Sequence, residues 1–301
     1  MLMHRAVVRS IGWSILLACS LGACASAPSH DAVAKFATAT DATAENTRSA
    51  FAVVERTAQM LEIEKRNNEY LQAPGSVKLG PIQTQLTSDI LEPRIKVLDA
   101  LAGYASILSA LTSGDQQAAF DKNAKALGEN LKDVKGQNFM IPADAADGMT
   151  KAVTALGDFL IKGILDRDIP PIVRRMDKTV SDLADALVLD VGSLRALLVS
   201  DLTNYRVKRA ENLTAIATTA GSSAAASRLE LYREYKRAVE DLDRVGTVDS
   251  SLAALQSALT KMKQAHSAPV APKSQSALQK VEAFAAQAER VGKLADTLRK
   301  L

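Results

Sequence analysis

Apolar residues recur at helical spacing along almost the whole chain, and no stretch of comparable length alternates as a strand would. Val33, Ala37, Thr40, Ala44, Thr47, Phe51, Val54, Ala58 and Leu61 keep a 4,3 spacing, which predicts one long helix ending before Ala73-Pro74-Gly75. This seam is rich in small residues and threonine, so its neighbours either approach closely or pack weakly. In the next segment Leu91, Ile95, Leu98, Ala102 and Ala105 lie beside Val97, Leu101, Tyr104, Leu108 and Leu111. An apolar arc that wide must be covered on more than one side, which predicts a central helix. Pro93 is cheapest if this helix begins near Ile90, and otherwise marks a kink. After a stop and cap at Ser113-Gly114-Asp115, a third helix is predicted over about 116–134 on Phe120, Ala124, Leu127, Leu131 and Val134. A fourth follows over about 143–165 on Met149, Val153, Leu156 and Leu160.

Beyond Asp168-Ile169-Pro170-Pro171 the pattern changes. Val180, Leu183, Leu187, Val191, Leu194, Leu198, Leu202 and Tyr205 follow steps of 3,4,4, extended backwards by Ile169, Ile172 and Met176 and forwards by Leu213 and Ile216. An 11-residue period keeps a seam almost straight along a helix, so a single helix of roughly 45 residues and about 65 to 70 Å is predicted. Gly192 beside the seam reads as a close crossing, a bend, or nothing. A turn around Gly221 leads to a helix carrying Tyr232, Tyr235, Val239 and Leu242, expected to break over 246–251 before Leu252, Leu255, Leu259 and Met262 resume it. Pro269 and Pro272 mark a linker over 267–274. The last segment, 275–301, with Leu278, Val281, Ala285, Ala288, Leu294 and Leu298, either docks on the bundle or pairs with another chain as a homo-oligomer. The fold expected is therefore all-α: an elongated antiparallel helical bundle over 31–266 with long coiled-coil-like helices.

The opening residues are of another kind. Basic Arg5 and Arg9 precede an apolar run from Ile11 through Ala18, too short to span a bilayer, and small residues follow. This order is an export signal over 1–23. Its end, Leu21-Gly22-Ala23-Cys24, resembles the lipobox of bacterial lipoprotein signal peptides at all four positions. The resemblance covers the first 24 residues only. It implies that Cys24 becomes the first mature residue, with diacylglycerol on its sulfur and usually an acyl chain on its amine, and that 24–30 form a lipidated tether. Two or more acyl chains hold a protein durably on a leaflet, where one gives marginal binding. Ala25 stands where an aspartate would resemble an inner-membrane retention signal, so the outer membrane is expected, with the body facing the periplasm.

Composition then removes several classes of chemistry. Of two cysteines, Cys19 leaves with the signal and Cys24 is taken by lipid, so neither a disulfide nor a thiol nucleophile is expected. His4 is lost, His30 lies in the tether, and His266 lies beside the linker, so no histidine is expected in a helix core. Trp13, the one tryptophan, also departs with the signal. The formal charge of +3 falls to about +1 without Arg5 and Arg9, with acids and bases interspersed, which argues against a nucleic-acid partner. Asp144, Asp147 and Gly148 lack the rest of a calcium loop and read as first-turn acids. Asp166 and Asp168 could be imagined as paired carboxylates, although solvation of a loop before two prolines suffices. Asp182 with Asp185, and Glu240 with Asp243, sit at i,i+3 with no histidine nearby. No phosphate loop, nucleophile elbow or paired-cysteine motif is present, and no cofactor is expected.

One surface feature is less ordinary. Arg206, Lys208 and Arg209 late in the long helix, and Arg228, Tyr232, Arg233, Tyr235, Lys236 and Arg237 early in the next, would be brought together by an antiparallel hairpin about Gly221. They could meet anionic headgroups or an acidic partner. The simpler reading is a solvated face paired with Glu211, Glu230, Glu234 and Glu240. The functional expectation is a membrane-anchored, non-enzymatic binding or scaffold protein with an envelope protein as partner. The rivals are an α-helical membrane-active or adhesin-like protein, and an envelope hydrolase using Asp166 or Asp168.

Overall fold

The computed structural model describes residues 30–73, 80, 84, 86–113, 117–162, 169–219, 225–270 and 275–300. The lipobox at 21–24, the tether through 29, Asp166, Asp168 and the turn at 220–223 lie outside the described residues, as do the side chains of Phe120 and Leu298. Among the described residues seven α-helices follow one another: α1 (His30–Gln72), α2 (Ser88–Ser113), α3 (Gln117–Leu131), α4 (Ala143–Lys162), α5 (Ile169–Thr219), α6 (Ala225–His266) and α7 (Gln275–Lys300). Short 3-10 turns occupy Gly136–Asn138 and Ala268–Val270, and the described residues contain no strand. The protein is an all-α bundle.

The seams predict its interior well. In α1 every seam residue from Val33 to Ala58 is buried, and Leu61 is half-buried. The threonines cost little there, because Thr40, Thr43, Thr47 and Thr57 each donate to the carbonyl four residues earlier, at 2.6–2.9 Å. Helix α2 is covered by α1, α3, α4 and α5, as its wide apolar arc requires. Pro93 lies inside its second turn. In α5, 51 residues long, the seam from Ile169 to Leu198 is buried, as is Tyr205.

Cross-links fix the relative direction of two helix pairs. Arg48 pairs with Asp99 and Ser88 with Glu55, so α2 runs antiparallel to α1. Lys263–Asp185 at 2.5 Å, Arg195–Asp249 at 2.5 Å and Arg209–Glu234 at 2.5 Å do the same for α5 and α6. Helix α7 docks between α1 and α6 through Val281, Phe284, Ala288, Val291 and Ala295. Phe36 of α1 lies against Phe284 and His266. The start of α1, α5 near Asp177 and the end of α6 therefore share one end of the bundle, while the end of α5 and the start of α6 lie towards the other.

Three local expectations are corrected or settled. Helix α6 runs unbroken through 246–251, because Val245, Val248, Ser251 and Leu252 are buried there and the exposed Gly246 costs only about 1 kcal/mol. Gly192 is a close crossing: a Cβ there would lie 2.9 Å from Nε2 of Gln256, which donates to the Val188 carbonyl at 2.9 Å. Helix α3 stops at Leu131, short of Val134, and the chain turns through buried Gly136. The Gly136 amide donates to Thr150 Oγ1 at 2.7 Å, and a Cβ at 136 would strike the Ala146 carbonyl of α4. Backbone cannot swing aside as a side chain can. Gly136→Ala is thus expected to destabilise the bundle by about 1–3 kcal/mol or more, read as a lowered denaturation midpoint.

Candidate interaction surface

Helices α5 and α6 do bring the two halves of the basic–aromatic cluster together, but not all of it reaches the surface. Arg209 is the correction. Its side chain is 10% exposed and lies inside, donating to Glu64 Oε2 of α1 at 2.9 Å and to Glu234 Oε2 of α6 at 2.5 Å. Asn212 binds the other Glu64 oxygen. Burial opposes the Arg209 charge, and Glu64 and Glu234 together outweigh it, so its pKa moves up. Arg209 knits three helices together and is not available to a partner.

The remaining residues are exposed, and several are paired as the simpler reading anticipates. Lys208 meets Glu211 at 3.0 Å, Arg233 meets Glu230 at 3.3 Å, Lys236 meets Glu240 at 3.6 Å, and Arg237 meets Glu234 at 2.5 Å. Exposed pairs of this kind contribute little, about 0–1 kcal/mol each. Arg206 is exposed. Tyr232 and Tyr235 face outward at 63% and 58% exposure, as a surface cluster requires. They border a groove of about 520 Å³ with Leu213, Thr214, Ala217, Thr218, Arg228 and Leu231.

A second cavity, about 620 Å³, lies between α1 and α5 and mixes Glu62, Glu64, Lys65, Asp201, Tyr205 and Lys208. Burial pushes the Asp201 carboxyl above its ordinary value. The other carboxylates considered from sequence are partnered or peripheral. Asp182 pairs with Lys178 at 2.6 Å and Asp185 with Lys263, while Asp144 and Asp147 are exposed early in α4. Among the described residues no three His, Cys, Asp or Glu side chains are placed to share a metal ion.

The expectation of no histidine in a helix core is overturned. His266 is 1% exposed, with Nδ1 2.8 Å from Asp177 Oδ1 and Nε2 2.8 Å from the Tyr104 hydroxyl. A carboxylate only accepts, so Nδ1 carries the proton and Nε2 accepts from Tyr104. The order acid, imidazole, hydroxyl invites comparison with a catalytic relay. Yet neither cavity reaches it, and burial pushes the Tyr104 hydroxyl up, the reverse of what activates a nucleophile. A second buried pair joins Arg94 to Asp190 in bidentate fashion at 2.6 and 2.7 Å, both side chains wholly inaccessible. Both clusters tie helices to one another.

No family model, curated protein or solved structure matches this chain.

Proposed function

We propose that this protein is a lipoprotein of the outer membrane, facing the periplasm, held by lipid on Cys24, and that it acts as a non-enzymatic helical binding or scaffold protein. The single observation that carries the binding role is the polarity of the bundle. His30 lies six residues after Cys24, a span of about 20 Å at most, and opens the end of the bundle that holds Phe36, Asp177 and His266. From Asp177 to Thr219, α5 rises about 63 Å, so its last turn stands far from that end. A rod with its anchor at one end and an apolar groove at the other suits reach and contact. No described helix is long and apolar enough to cross a membrane, so the lipid is the proposed means of attachment.

The anchor is tested directly. Wild-type protein is expected in the outer-membrane fraction, with an intact mass showing acyl chains and a chain starting at Cys24; Cys24→Ala should carry no lipid and leave that fraction. A bare thiol at position 24 in native material would refute the anchor.

A further inference from the structure

We propose that the cavity between α1 and α5 binds a small organic amine, its ammonium held by Asp201 and its apolar body by Ala58, Leu61 and Tyr205. The assignment goes beyond the anchored-scaffold reading and does not depend on lipid at Cys24.

Two faces of the same period enclose the cavity. Ala58, Leu61, Glu62 and Lys65 on α1 follow steps of 3,1,3, and so do Asp201, Asn204, Tyr205 and Lys208 on α5, which places four residues on one side of two successive turns of each helix. Next to them, Glu64 of α1 joins Arg209 of α5 at 2.9 Å and holds the two helices at a fixed spacing. Ala58 contributes only a methyl group to the wall, and a space of about 620 Å³ is left between the helices. Cavities of roughly 300–1,000 Å³ are the size that holds small molecules. The lining is partly apolar and partly polar, so it suits a ligand with both characters.

Charge selects the ligand, because one ionisable group of the lining is open and the others are engaged. Glu62 meets Arg66 at 3.3 Å and Lys65 at 3.8 Å, Glu64 meets Arg209 and Asn212, and Lys208 meets Glu211 at 3.0 Å. Asp201 has no hydrogen-bond or ion-pair partner among the described residues, and burial alone moves its carboxyl upward. A half-buried carboxylate without a partner is held at a cost in free energy that an incoming cation relieves. A divalent metal needs several oxygen ligands, and among the described residues no three His, Cys, Asp or Glu side chains are placed to supply them. An ammonium needs one carboxylate. Buried Tyr205 lies one turn after Asp201 on the same face, and an aromatic ring accepts both an apolar stem and a cation. A neutral or anionic ligand would leave Asp201 unmatched.

The test titrates the full chain, held in non-ionic detergent, with n-butylamine, followed by the NMR signals of isotope-labelled aspartate carboxyls. The amine should saturate a single site and move the one signal that is missing from Asp201→Asn. Butyrate and n-butanol, of the same length, should bind about tenfold more weakly or worse. Asp201→Asn should weaken butylamine binding by about tenfold or more, the level at which a hydrogen bond to a charged group contributes. The same substitution should leave the thermal unfolding midpoint in place or raise it, since it removes an unpaired carboxylate. Butanol binding as well as butylamine, calcium chloride competing with the amine, or no saturable binding would overturn the assignment. A lowered midpoint in Asp201→Asn would also overturn it, by showing that a cation of the chain itself already meets this carboxylate. A carbodiimide crosslink in cells from Asp201 to a lysine of another protein would give the site to a partner's side chain and exclude the small ligand. None of these outcomes bears on the mass and fractionation test of Cys24, so the two readings fail separately.

Discussion

Arg94→Met should lower the stability of the bundle by about 3–5 kcal/mol, because it strands a carboxylate where no water reaches. The Arg94 guanidinium donates Nε to Asp190 Oδ2 and Nη2 to Asp190 Oδ1, while Nη1 reaches the Ile90 and Asn138 carbonyls. Its charge also sits 5.2 Å above the Phe139 ring, and the Met140 amide donates to Asp190 Oδ1 at 2.5 Å. One ion pair thereby fastens α2 and α5 to the turn between α3 and α4. Burial pushes the Asp190 carboxyl up, against the opposing pull of Arg94 and the Met140 amide. Without Arg94 that opposition is mostly gone, and Asp190 must protonate or draw in water. At about 2–4 °C per kcal/mol, the melting temperature should fall by roughly 10 °C or more. The double replacement Arg94→Met with Asp190→Leu removes both charges and should recover most of the loss, since apolar residues of similar volume replace a buried pair at little cost. A double mutant as unstable as the single one would show that packing, and not the stranded charge, sets the effect.

How much of this was legible in sequence depends on what each residue asks of its neighbours. Long seams in α1, α2 and α5 announce buried faces because apolar periodicity is a property of one helix alone. Burial of a polar residue is a property of two. Arg94 stands between Leu91 and Leu98 at steps of 3 and 4, and Asp190 stands between Leu187 and Leu194 in the same way. A base in one stripe and an acid in another were the available signal, but nothing in the chain says that these two meet. His266 likewise continues the Leu255, Leu259, Met262 stripe, and the nearby prolines hid it by suggesting that the helix had ended. The basic cluster divides for the same reason: Arg209 falls inward because Glu64 comes from α1, more than a hundred residues away. Tyr232, Tyr235, Val239 and Leu242 form a stripe as regular as those buried elsewhere, and only the packed bundle shows that its first three members stay exposed.

Acidification should destabilise the protein through His266, and His266→Gln should remove that part of the response. Burial, the largest influence on the imidazole, lowers its pKa, and the Asp177 carboxylate opposes this only partly. In the fold His266 faces Asp177 from α5, Tyr104 from α2 and the Phe36 ring from α1, so it stays neutral, its Nε2 occupied by the Tyr104 hydroxyl. Unfolded, it titrates near pH 6.5. Below that value the unfolded chain takes up a proton that the folded chain refuses, so the stability conferred by the neutral imidazole is complete above about pH 6.5 and is lost as pH falls towards the lowered folded value. Between these limits the slope approaches about 1.4 kcal/mol per pH unit. Urea titrations at stepped pH, comparing the wild-type chain with His266→Gln, isolate this from the titration of surface carboxylates, which both chains share. Curves that stay parallel from pH 8 to 5 would mean that folding leaves the imidazole's proton affinity unchanged, and a wild-type chain that gains stability relative to His266→Gln as pH falls through this range would mean that the imidazole is protonated in the fold and its contact with Asp177 is an ion pair.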